Sequence, residues 1–220
     1  ENPNLYQVLD ISERSYQEDF VPIAIIANSY AGIIVKEDSP FETLEDLINY
    51  AKENPNDLVF GTTGEGGLPS VVLAMLENEL EAEFRTVPYD GEGPVTTALL
   101  GNEVDVTSVT VSAAQDYVES GDFRMLAVVN DEPIEALPDI PAITELYPEI
   151  GKFLPWGPFQ GVFVHKDTPN KIVEKLSESF ELAIDTEDFK ETLANLGMEY
   201  MNINGQEAID FVDKNRSTAA

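Results

Sequence analysis

From Leu58 to Val129 the chain alternates short apolar runs with helical segments. Strands are expected at 58–60, 84–87, 104–109 and 124–129, separated by helices at 69–80, 95–100 and 112–119. A βαβαβαβ rhythm with short connections is the signature of an α/β fold whose mostly parallel sheet carries helices on its faces. No other part of the sequence restricts the fold so tightly.

One link in that run stands apart. Phe60-Gly61-Thr62-Thr63-Gly64-Glu65-Gly66-Gly67-Leu68-Pro69-Ser70 joins an apolar strand to the helix that begins near Val71. Pro69 suits a first helical turn, where its missing N–H costs nothing. A glycine-rich loop opening a helix brings several free backbone N–H groups to one small anion, and the helix dipole adds attraction. The same residues also make a tight strand-to-helix turn that holds nothing, and the pattern alone leaves both readings open. No Lys-Ser/Thr follows the glycines, so this is not a Walker A site. Proline at position 69 breaks the dinucleotide pattern that Gly64 and Gly66 begin. What remains is anion recognition by neutral donors: the N–H groups of Gly64, Gly66 and Gly67 and the hydroxyls of Thr62, Thr63 and Ser70. Neutral hydrogen bonds are weaker than charge-assisted ones, which fits a carboxylate that must bind and then leave. Glu65 opposes an anion in the same loop, so it is expected to face solvent or to read a donor on the ligand.

Ahead of this run, 23–26 and 31–35 read as two extended segments broken at Asn28-Ser29-Tyr30, and Leu5, Tyr6, Val8, Leu9 and Ile11 form an apolar face. Thr43 with Asp46 three residues on predicts a capped helix to about Glu53. Beyond 130 the prolines 133, 138, 141, 148, 155 and 158 break up regular structure, with one helical turn or two at 142–147. A strand is expected at 161–164. Thr168-Pro169 then opens a helix with Ile172, Val173, Leu176, Phe180, Ala183 and Ile184 on one stripe. Thr186 starts a further helix closed by Gly197, a strand covers 198–201, and Asn204 with Glu207 makes a capping-box pattern for the last helix.

At 220 residues and 43% apolar content the chain buries a core as one large domain or two modest ones. No run approaches the roughly 18 apolar residues of a membrane span. With no cysteine, disulfides, thiolate metal sites and cysteine nucleophiles are out. Acidic residues number 42 against 12 basic, a net charge of −30. No basic stripe exists to neutralise nucleic-acid phosphates, and binding to an anionic membrane surface is disfavoured too. An acidic surface this poor in lysine reads as adaptation to high salt.

The lone His165 would have to serve as the only base of a catalytic triad, without a G-x-S-x-G elbow, so a loop role is the default. Zinc lacks a second His or any Cys, and Asp90-Gly91-Glu92-Gly93 has too few alternating ligands for calcium and reads as a turn. No metal, cofactor or catalytic residue is expected.

A longer series of motifs is more specific. In order come Phe60 to Gly67, Val87-Pro88-Tyr89-Asp90-Gly91, Ala98-Leu99-Leu100-Gly101-Asn102-Glu103-Val104-Asp105, Gly121-Asp122-Phe123-Arg124-Met125-Leu126-Ala127-Val128 and Leu137-Pro138-Asp139-Ile140-Pro141, closed by Gly161 and Asp167-Thr168-Pro169. In order and spacing the series resembles the solute receptors of tripartite tricarboxylate transporters, the Bug-type periplasmic binding proteins. The resemblance implies a type II-like, two-lobed α/β binding protein with mostly parallel sheets, periplasmic or extracellular, acting as a monomer and not an enzyme. It would close on a small organic di- or tricarboxylate and deliver it to membrane permease subunits. By the same likeness, residues 1–28 and 130–220 form one discontinuous lobe and 29–129 an inserted lobe carrying the glycine loop. The family's N-terminal strand and facing loop have no counterpart before Glu1, which implies an N-terminally shortened first lobe. Tyr89 and the end of strand 104–109 would flank the ligand. Ser108-Val109 stand where many relatives carry an aromatic-Asp pair, Ser70 where a histidine is common, and Phe159, with Trp156 nearby, where a tryptophan is frequent. The alternatives are an α/β enzyme using the glycine loop for a phosphate or acyl oxyanion, and a ligand-sensing module.

Overall fold

The computed structural model describes residues 19–134, 137–154 and 156–219, with side chains through 215. The apolar face expected at 5–11 lies outside the described residues. The described residues divide into two compact units: Tyr30–Leu154, and the described segments on either side of it.

In the first unit the elements run β2 (Ala31–Lys36), α1 (Leu44–Glu53), β3 (Val59–Thr62), α2 (Leu68–Leu80), β4 (Arg85–Pro88), α3 (Glu92–Leu100), β5 (Val106–Thr110), α4 (Val111–Ser120), β6 (Phe123–Val129), α5 (Ile143–Leu146) and a 3-10 turn at Pro148–Phe153. The preceding strand, β1 (Phe20–Asn28), belongs to the other unit. Local sequence accounts for several of these limits. Thr43 accepts from the Asp46 N–H at 3.1 Å while Asp46 accepts from the Thr43 N–H at 3.2 Å, so the expected capping box starts α1. Leu44, Leu47, Ile48 and Ala51 then bury one helical stripe. Gly121 ends α4 in the left-handed conformation that glycine tolerates best.

The five strands lie in the order β4-β3-β5-β2-β6. β3 is parallel to β4 and β5, whereas β2 is antiparallel to both its neighbours, with Ile33 opposite Ser108 on one side and Ala127 on the other. The sheet is therefore mixed: the four strands of the expected run at 58–129 share one direction, and only β2 opposes them. Four strands share a direction because a helix precedes or follows each of them. β2 opposes them because it enters directly from β1 with only Ser29 and Tyr30 between. Val95, Ala98, Leu99, Val104, Val109, Phe123, Val128 and Ile134 are among the buried residues of its core. Leu137 and Ile140 pack against that cluster, and Ala142 bridges Val128. The described residues of 130–154 thus pack within this unit, and the expected lobe boundary at 129 falls inside it.

The second unit holds β1, β7 (Phe159–His165), α6 (Asn170–Ile184), α7 (Glu187–Asn195), β8 (Glu199–Asn204) and α8 (Gly205–Ala219). Its sheet, β7-β1-β8, is antiparallel throughout, where a mostly parallel one was expected. Ile25, Ala208 and Val212 form its buried centre with Phe159, Phe163, Met201, Ile203 and Phe211 around them. Of the stripe expected on α6 only Ile184 is fully buried, and Ile172 is 50% exposed. At the end of α6, Asp185 accepts from Lys190 (2.8 Å) and from the Tyr200 hydroxyl (3.0 Å), tying α7 to β8. The capping box expected at Asn204 does not form. Asn204 ends β8, its amide donates to Asn202, and its Oδ1 is buried without a partner among the described residues.

Candidate anion-binding loop

Because β3, β4 and β5 are parallel, the segments that follow them emerge at one edge of the five-stranded sheet. The glycine loop follows β3. Gly64 (φ 85°) and Gly66 (φ 74°) both adopt the left-handed conformation that other residues resist. The Gly67 N–H donates to the Gly64 carbonyl at 3.2 Å, closing a turn, and the Ser70 hydroxyl donates to the same oxygen at 2.6 Å. Gly67 caps α2 in extended geometry without a side-chain cap, and Pro69 sits in the first turn. The N–H groups of Gly64, Glu65, Gly66 and Leu68 have no hydrogen-bond partner among the described residues. Four free donors therefore gather at the N-terminus of a 13-residue helix, the arrangement that attracts a small anion. Glu65 is exposed and makes no contact that closes the loop.

The predicted site residues divide by what the structure does with them. Thr62 is buried at the end of β3, and its carbonyl accepts from the Tyr89 N–H at 2.7 Å. Thr63 lies over Gly67, where an added Cβ would come within 2.1 Å of its Oγ1. Ser70 spends its proton inside the loop and thereby shapes it. Ser108 is fully buried in β5, next to Thr107, which pairs with Gly61, and its hydroxyl has no partner among the described residues. Tyr89 is at this edge by its backbone only. Its hydroxyl donates to Glu103 at 3.5 Å, and Glu103 precedes β5, so the ring runs down toward the opposite edge. Burial first, and then Glu103, pushes this phenol above its ordinary range. Phe159 belongs to the other unit, where it packs edge-on to Phe211 at 5.3 Å and against Phe163.

Gly61, just before the loop, has a different task. A Cβ there would stand 2.4 Å from Val95, so glycine lets α3 press onto β3. Thr107 donates to the Gly61 carbonyl at 2.8 Å. Sequence reasoning passed over Glu92, whose carboxylate accepts from the Thr110 N–H (2.9 Å) and hydroxyl (3.1 Å) at the same edge. Its partner lies 18 residues on, beyond the reach of any local pattern.

An open recess of about 540 Å³ lies at the opposite edge of the sheet, lined by Lys36, Phe41, Tyr50, Asp57, Asn102 and Asp105 among others. Asp38 and Lys36 pair there at 3.5 Å, and the Tyr50 hydroxyl donates to Asp57 at 2.7 Å. With Asp38, Asp57 and Asp105 against a single lysine, its walls repel an anion. His165 ends β7 with its Nδ1 accepting from the Asp167 N–H at 3.3 Å, a turn contact. No group of three His, Asp or Glu side chains placed to hold a metal occurs among the described residues.

Two α/β units, one of them carrying a helix-opening glycine loop, fit the type II-like periplasmic binding-protein class. Comparison with known proteins agrees. The chain belongs to the tripartite tricarboxylate transporter family receptors, whose family pattern matches residues 1–219. It is similar to the UPF0065 protein in the gbd 5'region of Cupriavidus necator, at 31% identity over 88% of this chain. The chain spans 58% of that relative's length. Among solved structures it resembles the periplasmic binding protein BugD, with a TM-score of 0.80 and 26% identity, covering 91% of this chain and 67% of that one. It also shares its fold with Rpa4515 of R. palustris, solved with adipate, at a TM-score of 0.82 and 23% identity over 94% and 70% of the two chains.

Proposed function

We propose that this chain is the solute-binding part of an extracytoplasmic receptor that captures a small organic carboxylate and hands it to the permease of a tripartite tricarboxylate-type transporter. The observation that carries the reading is the set of four unpartnered N–H groups, from Gly64, Glu65, Gly66 and Leu68, at the start of α2. Such donors hold a carboxylate firmly enough to bind and weakly enough to release it. The family's function and the adipate held by a protein of the same fold support a carboxylate as the ligand. On this reading Gly64, Gly66 and Gly67 give the backbone its approach, Thr63 and Ser70 hold the loop's shape, and Thr62 and Ser108 form its floor. Tyr89 anchors the loop through its N–H, and Phe159 serves the other unit's packing. The unit at Tyr30–Leu154 is the inserted lobe. The protein works outside the cytoplasm as a monomer and not as an enzyme; no helix among the described residues is long and apolar enough to cross a membrane.

Titration calorimetry at high salt with malate, adipate and citrate tests this. Saturable binding of at least one is expected, weakened at least tenfold by Gly66→Val. Binding unchanged by that substitution would remove the loop from the site. Turnover of esters or binding of nucleotides, with no response to any of the carboxylates, would favour the enzyme reading instead.

A further inference from the structure

Three helices begin at the edge where the glycine loop lies, because α2, α3 and α4 follow the parallel strands β3, β4 and β5. Each brings to that edge a partial positive charge of roughly half an elementary unit. The start of α2 is open, as its free N–H groups show. The other two share one internal occupant. Glu92 is the first residue of α3, so its carboxylate sits in that helix's first turn. The same carboxylate reaches across to Thr110, the N-cap of α4. One oxygen accepts from the Thr110 N–H at 2.9 Å and the other from the Thr110 hydroxyl at 3.1 Å, both partly buried. The Ser112 hydroxyl donates to Thr110 Oγ1 at 3.3 Å, and Thr96 donates to the Glu92 carbonyl at 2.7 Å, which fixes the main chain from which the carboxylate projects.

We propose that Glu92 is a built-in anion whose charge lies at two of the three helix N-termini on this edge, leaving the glycine loop as the subsite there open to an external carboxylate. The second half of this statement rests on reading the loop as a carboxylate site. A fixed negative charge on Thr110 repels a second anion approaching α4, and the N–H and hydroxyl of Thr110 and the N–H of Val111 are already bonded. Glu92 is thus a positioning residue for the edge and sets its specificity. This unit engages one carboxylate of a ligand, and a di- or tricarboxylate has its remaining groups recognised elsewhere.

The test uses acetate as probe and backbone amide NMR shifts of the whole chain at constant ionic strength. In wild type, acetate is expected to move the Gly64 and Gly66 amides and to leave Thr110 and Ser112 still. In Glu92→Ala it should move all four, with half-saturation at Thr110 at least tenfold below any wild-type response there. A Thr110 that responds equally in wild type, or stays silent in Glu92→Ala, overturns the proposal. Silence of Gly64 and Gly66 in both proteins overturns the loop reading and with it the open subsite, while Thr110 still reports on Glu92 alone. Should Glu92→Ala fail to fold, Glu92→Gln keeps the volume and one acceptor but loses the charge. Acetate should then raise its melting temperature more than that of wild type, and equal rises would sink the idea.

Discussion

The glycine loop separates two kinds of requirement for glycine. Gly64, at φ 85° with nothing within 4 Å of an added Cβ, is constrained only by its backbone, so alanine there costs about 1–2 kcal/mol of left-handed strain. Gly67 has an ordinary φ of −69°, yet a Cβ would meet Thr63 Oγ1 and approach the Thr63 and Gly64 carbonyls to 3.2 and 3.3 Å. Gly67→Ala should therefore cost about 1–3 kcal/mol through overpacking. Thr63→Ala in that background should recover part of the loss, and a urea-melt double-mutant cycle will show whether it does. Tyr147 offers a pH readout. Burial, then the charges of Glu45 and Glu149, push its phenol from 10.0 up to about 12. The folded state thus holds the neutral phenol more tightly than the unfolded one. Its contribution is complete below pH 10 and is lost as pH rises toward about 12, with one tyrosinate signal appearing last in an absorbance titration. The glycine-rich turn from strand to helix at Gly64–Gly67 was legible in the sequence, because turn chemistry is local. The partners of Ser70, Tyr89 and Glu92 were not, since a hydroxyl or carboxylate bonds whatever the fold brings near it.

Two capping-box patterns show where element-level reading holds and where it stops. At Thr43–Asp46 the reciprocal bonds form, and the helix they start buries four apolar residues. Thr43→Ala should cost about 1 kcal/mol, measurable as a lower urea midpoint with an unchanged slope. At Asn204–Glu207 the same spacing yields no box, because Asn204 is paired with Ala24 in the β8–β1 ladder and its amide turns to Asn202. Asn204→Ala is accordingly expected to leave the stability of α8 almost untouched. Strand and helix positions were readable from periodicity. Strand direction was not: nothing within Ala31–Lys36 tells that it lies between β5 and β6 and opposes both. Likewise the amphipathic stripe of α6 announced a helix but not how far it would be covered, as the half-exposed Ile172 shows.

At the scale of the whole molecule, charge governs stability. Twelve lysines and arginines face 42 acids, so most carboxylates have no cation of their own and repel one another. The range of that repulsion is about 10 Å at 0.1 M salt and about 3 Å at 1 M. The melting temperature should climb by several degrees between 0.1 and 2 M potassium chloride; a flat or falling curve in a calorimetric scan would count against salt adaptation. The same screening removes the long-range barrier to capturing an anion, so affinity for a carboxylate should survive at salt concentrations that usually weaken such contacts. The antiparallel strand β2 carries a last consequence, for the order in which the molecule assembles. Ala31 pairs with Thr110 on one side and with Val129 on the other. During synthesis the strand emerges long before either partner exists, and the sheet stays open until β6 has been made. Closing contacts so distant in the chain is slow. Collapse of this unit therefore waits on its last strand, and an incomplete chain ending before Phe123 would expose one side of β2 to whatever else offers a free strand edge.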